Sequence, residues 1–82
     1  MGFPLIYAEI NKIYEIDRIM KQDATAKRLI EMGFSKGLKI VVKSKVNGSV
    51  VVEVFGSKVA LDKDIASKIY IKELRKEDNL TL

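Results

Sequence analysis

A mainly β chain is predicted here: a small, partly open five-stranded barrel with one short helix after the first strand and a helical turn before the last. Three observations carry that reading. Short apolar stretches alternate with polar residues through most of the chain, and around residues 24–32 the spacing turns helical. The chain has 82 residues and no cysteine, so no disulfide can staple it. Five short strands in so small a chain must close or cover their edges, because open edges aggregate. A domain of this size buries only about 60–65% of the surface its unfolded form exposes, which leaves little room for an enclosed active site.

Residues 4–20 admit two readings. Ile6, Ile10, Ile13 and Met20 share a helical stripe, with Pro4 at a first-turn position. Tyr14, Ile16, Arg18 and Met20 instead alternate as a strand does, in a stretch rich in β-branched Ile. On the second reading Asn11-Lys12 breaks a leading turn from a strand running from about Ile13 to Met20. Periodicity alone does not choose between them.

Residues 24–32 read as a helix. Asp23 is a good N-cap, able to accept from an otherwise unpartnered backbone N–H. Ala26, Leu29, Ile30 and Gly33 share one face, while Lys27, Arg28 and Glu31 point outward. Gly33 is placed for the left-handed conformation that ends a helix, and Phe34 can fold back onto Leu29 as a Schellman closure. Gly37 ends the turn that follows.

Two strands come next. Leu38, Ile40 and Val42 alternate with Lys39 and Lys43, and Val50, Val52 and Val54 alternate with Glu53 and Phe55. Asn47-Gly48 between them is the usual mark of a two-residue hairpin turn. A two-residue loop would put Val50, Val52 and Val54 on the face of Lys39, Lys43 and Lys45. A three-residue loop, Val46-Asn47-Gly48, instead sets Ile40 opposite Val54 and Val42 opposite Val52, with Gly48 in the left-handed region. The longer loop makes one face continuously apolar, so it is the expectation. After Gly56, Val59 and Leu61 fit a short strand, Asp62-Lys63-Asp64 opens a helical turn through Ala66, and Ile69, Tyr70 and Ile71 form the last strand. Residues 1–74 make one domain, and 75–82, without periodicity, are expected to fray.

Composition narrows function. Histidine and cysteine are both absent, which removes the commonest general base, the commonest transition-metal ligand and any thiol nucleophile. Ser35, Ser44, Ser49, Ser57 and Ser67 therefore have no imidazole to activate them, and the expectation is that the chain is not an enzyme. The carboxylates Glu9, Glu15, Asp17, Asp62 and Asp64 offer oxygen ligands alone, which suit hard cations, and Asp62 reads as a helix cap. No metal site and no cofactor are assigned. Gly33 to Gly37 lacks the glycine-lysine-serine/threonine ending of a phosphate loop, and it follows the negative end of a helix. Net charge is +4, which fits a soluble lysine-rich surface or a basic nucleic-acid module. A single-strand binder needs aromatics among its basic residues, and only Phe55 is so placed on the hairpin. The N-terminus lacks the basic region of a secretory signal, Gly2 is followed by Ile6 where a myristoylation site needs Ser or Thr, and no apolar run spans a bilayer. These readings place the chain in the cytoplasm.

The order of elements then becomes familiar. Lys27-Arg28-Leu29-Ile30-Glu31-Met32-Gly33-Phe34-Ser35-Lys36-Gly37 resembles the helix-and-turn motif of the FeoA family, the ferrous iron transport protein A group. Val54-Phe55-Gly56-Ser57-Lys58-Val59-Ala60-Leu61 is similar to that family's glycine and following apolar strand. Asp64 to Ile69 resembles its alanine-containing turn, and Pro4-Leu5 with Ile16 to Ile19 fits its opening. The likeness covers roughly residues 4–73. The chain departs from the family at Asn11 and Tyr14, where glycines are common, and at Lys27, where the family carries arginine. The resemblance implies an SH3-like barrel and settles 13–20 as strand. It further implies a cytosolic accessory protein that binds the membrane ferrous iron transporter FeoB, and so a link to transition-metal homeostasis. The expected partner surface is Lys27 and Arg28 on the helix with Val41, Val51 and Phe55 on the outer hairpin face. Whether barrel curvature or the N-terminal segment covers those three stays open, as does self-association. Gly33, Gly37, Gly48 and Gly56 are the structural turns.

Overall fold

The computed structural model describes residues 2–20 and 23–74. Expectations for 75–82 lie outside the described residues. Six strands form one antiparallel sheet, in spatial order β1-β6-β2-β3-β4-β5. They are β1 (Phe3–Pro4), β2 (Ile13–Ile19), β3 (Lys39–Val46), β4 (Ser49–Val54), β5 (Ser57–Leu61) and β6 (Ile69–Glu73). Two helices interrupt them, α1 (Ala24–Glu31) after β2 and α2 (Lys63–Lys68) before β6. A 3₁₀ turn, Leu5–Tyr7, follows β1. Among the described strands β1 and β5 stand at the two ends of the sheet and do not pair with each other, so the barrel is partly open.

The five expected strands are present, and β1 is a sixth. It is a correction to the sequence reading: two residues, Phe3 opposite Ile71 and Pro4 opposite Tyr70, are too short to leave a periodic trace. Residues 13–19 are strand, with Tyr14 and Ile16 buried, and the helical stripe is not formed. The alternation fails at Arg18 because the pairing with β6 shifts between Ile16 and Arg18. Asn11 takes φ 69, the left-handed geometry that asparagine tolerates. Tyr14 serves the opening loop otherwise, its hydroxyl accepting from the Glu9 N–H at 3.0 Å.

The β3–β4 hairpin reaches the expected core by another route. Its loop is the two-residue Asn47-Gly48, with φ of 53 and 87, closed by Val46 opposite Ser49. Val42 nevertheless faces Val52, because the register shifts between Val42 and Ser44. A bulge at Lys43 supplies the extra residue that the sequence reading assigned to the loop. Ile40, Val42, Val50, Val52 and Val54 are buried as the alternation required. They join Leu5, Tyr14, Ile16, Leu29, Phe34, Leu61, Ala66, Ile69 and Ile71 in one cluster. Every buried side-chain nitrogen and oxygen among the described residues has a hydrogen-bond partner.

Candidate functional site

The end of α1 is built by backbone geometry. The Gly33 N–H donates to the Ile30 carbonyl and the Phe34 N–H to the Leu29 carbonyl, each at 2.9 Å, which is the Schellman pattern. Gly33 has φ 98, and a Cβ there would lie 2.8 Å from the tip of the Phe55 ring. That ring stands edge-to-face with buried Phe34, their centroids 6.5 Å apart. Phe55 itself occupies φ 55 in the turn between β4 and β5, a conformation costly for a bulky residue. It is still 64% exposed.

The sequence reading placed Phe55 beside Val41 and Val51. The structure separates them. β4 ends at Val54, the left-handed turn swings the ring toward α1, and Val41 and Val51 stay half-buried in the strands. Val41 faces Ile13 and Glu53, and Val51 faces Ser44 and Ala60. Ile30, assigned to the buried helix face, is 44% exposed. The buried stripe of α1 is only Ala26 and Leu29, and Ile30 lines a shallow concavity with Lys27 and Glu31.

Arg28 and Lys27 are both exposed, as the helical spacing required. Arg28 borders a groove of about 440 Å³ between α1 and β5. Its walls include Leu29 and Met32 from the helix, Val59, Ala60 and Leu61 from β5, and Ile65 from α2. Met32 and Ala60 escaped the sequence reading. Met32 sits at the helix cap and Ala60 on the polar phase of a strand, so neither shows in a periodic pattern. The structure thus places Arg28 and Met32 along the groove and Phe55 in the turn before β5, with Val51 of β4 opposite Ala60 and Val41 one strand further away on β3.

Charge ties α1 to α2. Asp23 caps α1 through the Ala26 N–H at 2.9 Å, and Asp62 caps α2 through the Ile65 N–H at 2.9 Å. Lys68 donates to Asp23 at 3.0 Å and lies 3.5 Å from Asp64, so one ammonium ties the two helices. The hydrogen bond to Asp23 chiefly raises the Lys68 pKa above its ordinary 10.5, against the desolvation that lowers it. Lys12 is raised in the same way by its hydrogen bond to Glu73. Asp62 therefore serves as the cap that the sequence indicated. Among the described residues, no three acidic, histidine or cysteine side chains converge as a metal site would need.

A family model for the FeoA domain matches residues 3–73. A protein of Methanocaldococcus jannaschii named as an Fe(2+) transport protein A is 28% identical over 71 residues, 87% of each chain. Among solved structures, a FeoA-like protein from Clostridium acetobutylicum superposes with a TM-score of 0.79 at 21% identity, covering 92% of this chain and 90% of that one. FeoA of Stenotrophomonas maltophilia, an SH3 domain protein complexed with zinc, gives 0.74 at 23% identity, with coverage of 88% and 89%. Both structural likenesses speak to the fold.

Proposed function

The chain belongs to the FeoA family, and from that premise we propose that it is a cytoplasmic, non-enzymatic accessory protein of ferrous iron uptake that docks on the cytosolic part of a FeoB-type transporter. The observation that carries this reading is the family match across residues 3–73, which spans every strand and both helices. The described helices include none long and apolar enough to cross a membrane, so any action on a transporter goes through contact with its exposed parts. The contact face is Lys27 and Arg28 of α1 with the Phe55 ring. A large exposed aromatic held in a strained turn is a fit anchor, and flanking cations steer the encounter. Val41 and Val51 are half-buried in β3 and β4, and the contact face is taken without them.

The test is ferrous iron accumulation in iron-limited cells. Deleting the chain alters the rate, the wild-type chain restores it, and Phe55→Ser restores it incompletely while remaining folded by circular dichroism. A rate unchanged by the deletion contradicts the proposal.

A further inference from the structure

β5 ends the sheet, and among the described residues its outer edge has no strand partner. The turn that opens it, Phe55-Gly56, has φ of 55 and 75 and is closed by Val54 opposite Ser57. Such a two-residue turn makes its closing residues a hydrogen-bonded pair. Alternation then assigns the ladder to Val52 with Val59 and Val50 with Leu61, and the N–H and C=O of Lys58 and Ala60 face away from β4. None of the described turn, loop or cap hydrogen bonds reaches Lys58 or Ala60.

The groove beside α1 runs along this edge. Val59, Ala60 and Leu61 are consecutive and point to alternate faces, yet all three line it. Only a groove that follows the strand's backbone touches both faces. The edge is lightly protected: the β4–β5 register has no shift, β5 has no proline, and a single lysine, Lys58, is its one charged residue. Across the groove the helix presents Leu29 and Met32, and Ile65 adds a further apolar wall.

Charge selects the occupant. Neither Arg28 nor Lys58 takes part in any of the described ion pairs. Glu53, opposite Lys58 in the ladder, is met by Lys43 at 3.9 Å. Asp62 is occupied as a cap, and Asp23 and Asp64 by Lys68. We propose that the β5 edge and the adjoining groove bind an extended segment of a partner protein, with alternating apolar residues and flanking carboxylates, as an added strand. The backbone of Lys58 and Ala60 supplies the ladder, the groove takes every second side chain, and Arg28 and Lys58 meet the carboxylates. Five residues of β5 accommodate a partner stretch of about 17 Å. This inference does not depend on the transporter reading.

The experiment uses the full chain and an acetylated, amidated peptide, Glu-Leu-Thr-Val-Thr-Leu-Glu, followed by amide NMR shifts and hydrogen exchange. Saturable shifts at Lys58, Ala60 and the α1 residues facing them are expected, with exchange at the Lys58 and Ala60 amides slowed by the peptide. A peptide of the same composition with its apolar residues consecutive should bind more weakly. Ala60→Pro removes one outward N–H and should weaken binding about fivefold or more. Should that variant unfold, Arg28→Glu, which lies outside the sheet, must weaken this peptide and favour one flanked by lysines. The proposal is overturned by absence of saturation at millimolar peptide, by equal binding of the consecutive peptide, or by shifts confined to another face. It is also overturned if the Lys58 and Ala60 amides of the free protein already exchange slowly, since the chain or a second copy then covers the edge.

Discussion

Phe55 and Gly33 are a matched pair. The left-handed backbone at Phe55 costs roughly 1–2 kcal/mol. The ring recovers part of that by lying in the space a Gly33 Cβ would fill and against the edge of Phe34. Gly37 is the control, since its φ is 92 but a Cβ there meets nothing within 4 Å. Gly37→Ala should therefore cost the backbone term alone, about 1–2 kcal/mol in chemical denaturation. Gly33→Ala should cost more, and the excess should vanish in a Phe55→Ala background, which a double-mutant cycle measures. Equal costs for the two glycines would show that the ring does not press on Gly33. Tyr14 gives a second residue-scale expectation. Tyr14→Phe deletes the acceptor of the Glu9 N–H and should lower stability by about 0.5–1.5 kcal/mol, with little change in the fold's circular dichroism.

Between elements, the junction of α1 and α2 depends on Lys68. Asp23→Ala removes both a cap and the principal Lys68 partner, whereas Asp62→Ala removes a cap alone. Loss of a cap costs about 0.5–2 kcal/mol, so Asp62→Ala should fall in that range and Asp23→Ala should be the worse of the two. The pH dependence has a fixed sign. The folded Lys68 pKa lies above the ordinary 10.5, so its contribution is whole below that value and is lost as pH rises through the folded pKa. The stability gap between wild type and Lys68→Met should hold constant from about pH 7 to about pH 10 and shrink above it. A gap that closes below pH 9 or so would mean another group is responsible. These caps were legible in the sequence because an aspartate before an apolar run has one strong local use. The β3–β4 register was legible only in its outcome. Alternation at Ile40, Val42, Val52 and Val54 requires a particular pairing, but a longer loop and a bulge at Lys43 satisfy it equally. β1 was not legible, because two residues carry no period and their partner, β6, is remote in sequence.

At the scale of the whole molecule, the barrel, the inserted helix and the helical turn were read from periodicity and from the family resemblance together. The candidate surface was read less well. Arg28 and Lys27 follow from helical spacing, but Phe55 was placed by extending the β4 alternation one residue past Val54. Its backbone leaves the strand there, and no pattern in the neighbouring residues announces a left-handed phenylalanine. On the proposed function, this surface engages a ferrous iron transporter. Calorimetric titration of the folded chain into the transporter's cytosolic domain tests it most directly. Saturable binding is expected. Phe55→Ser should weaken it by at least about 1–2 kcal/mol, and Arg28→Ala should mainly slow association and reduce its salt dependence. Folded wild-type protein that binds neither that domain nor membranes carrying the full transporter, yet binds single-stranded RNA with steep salt dependence, would contradict the claim.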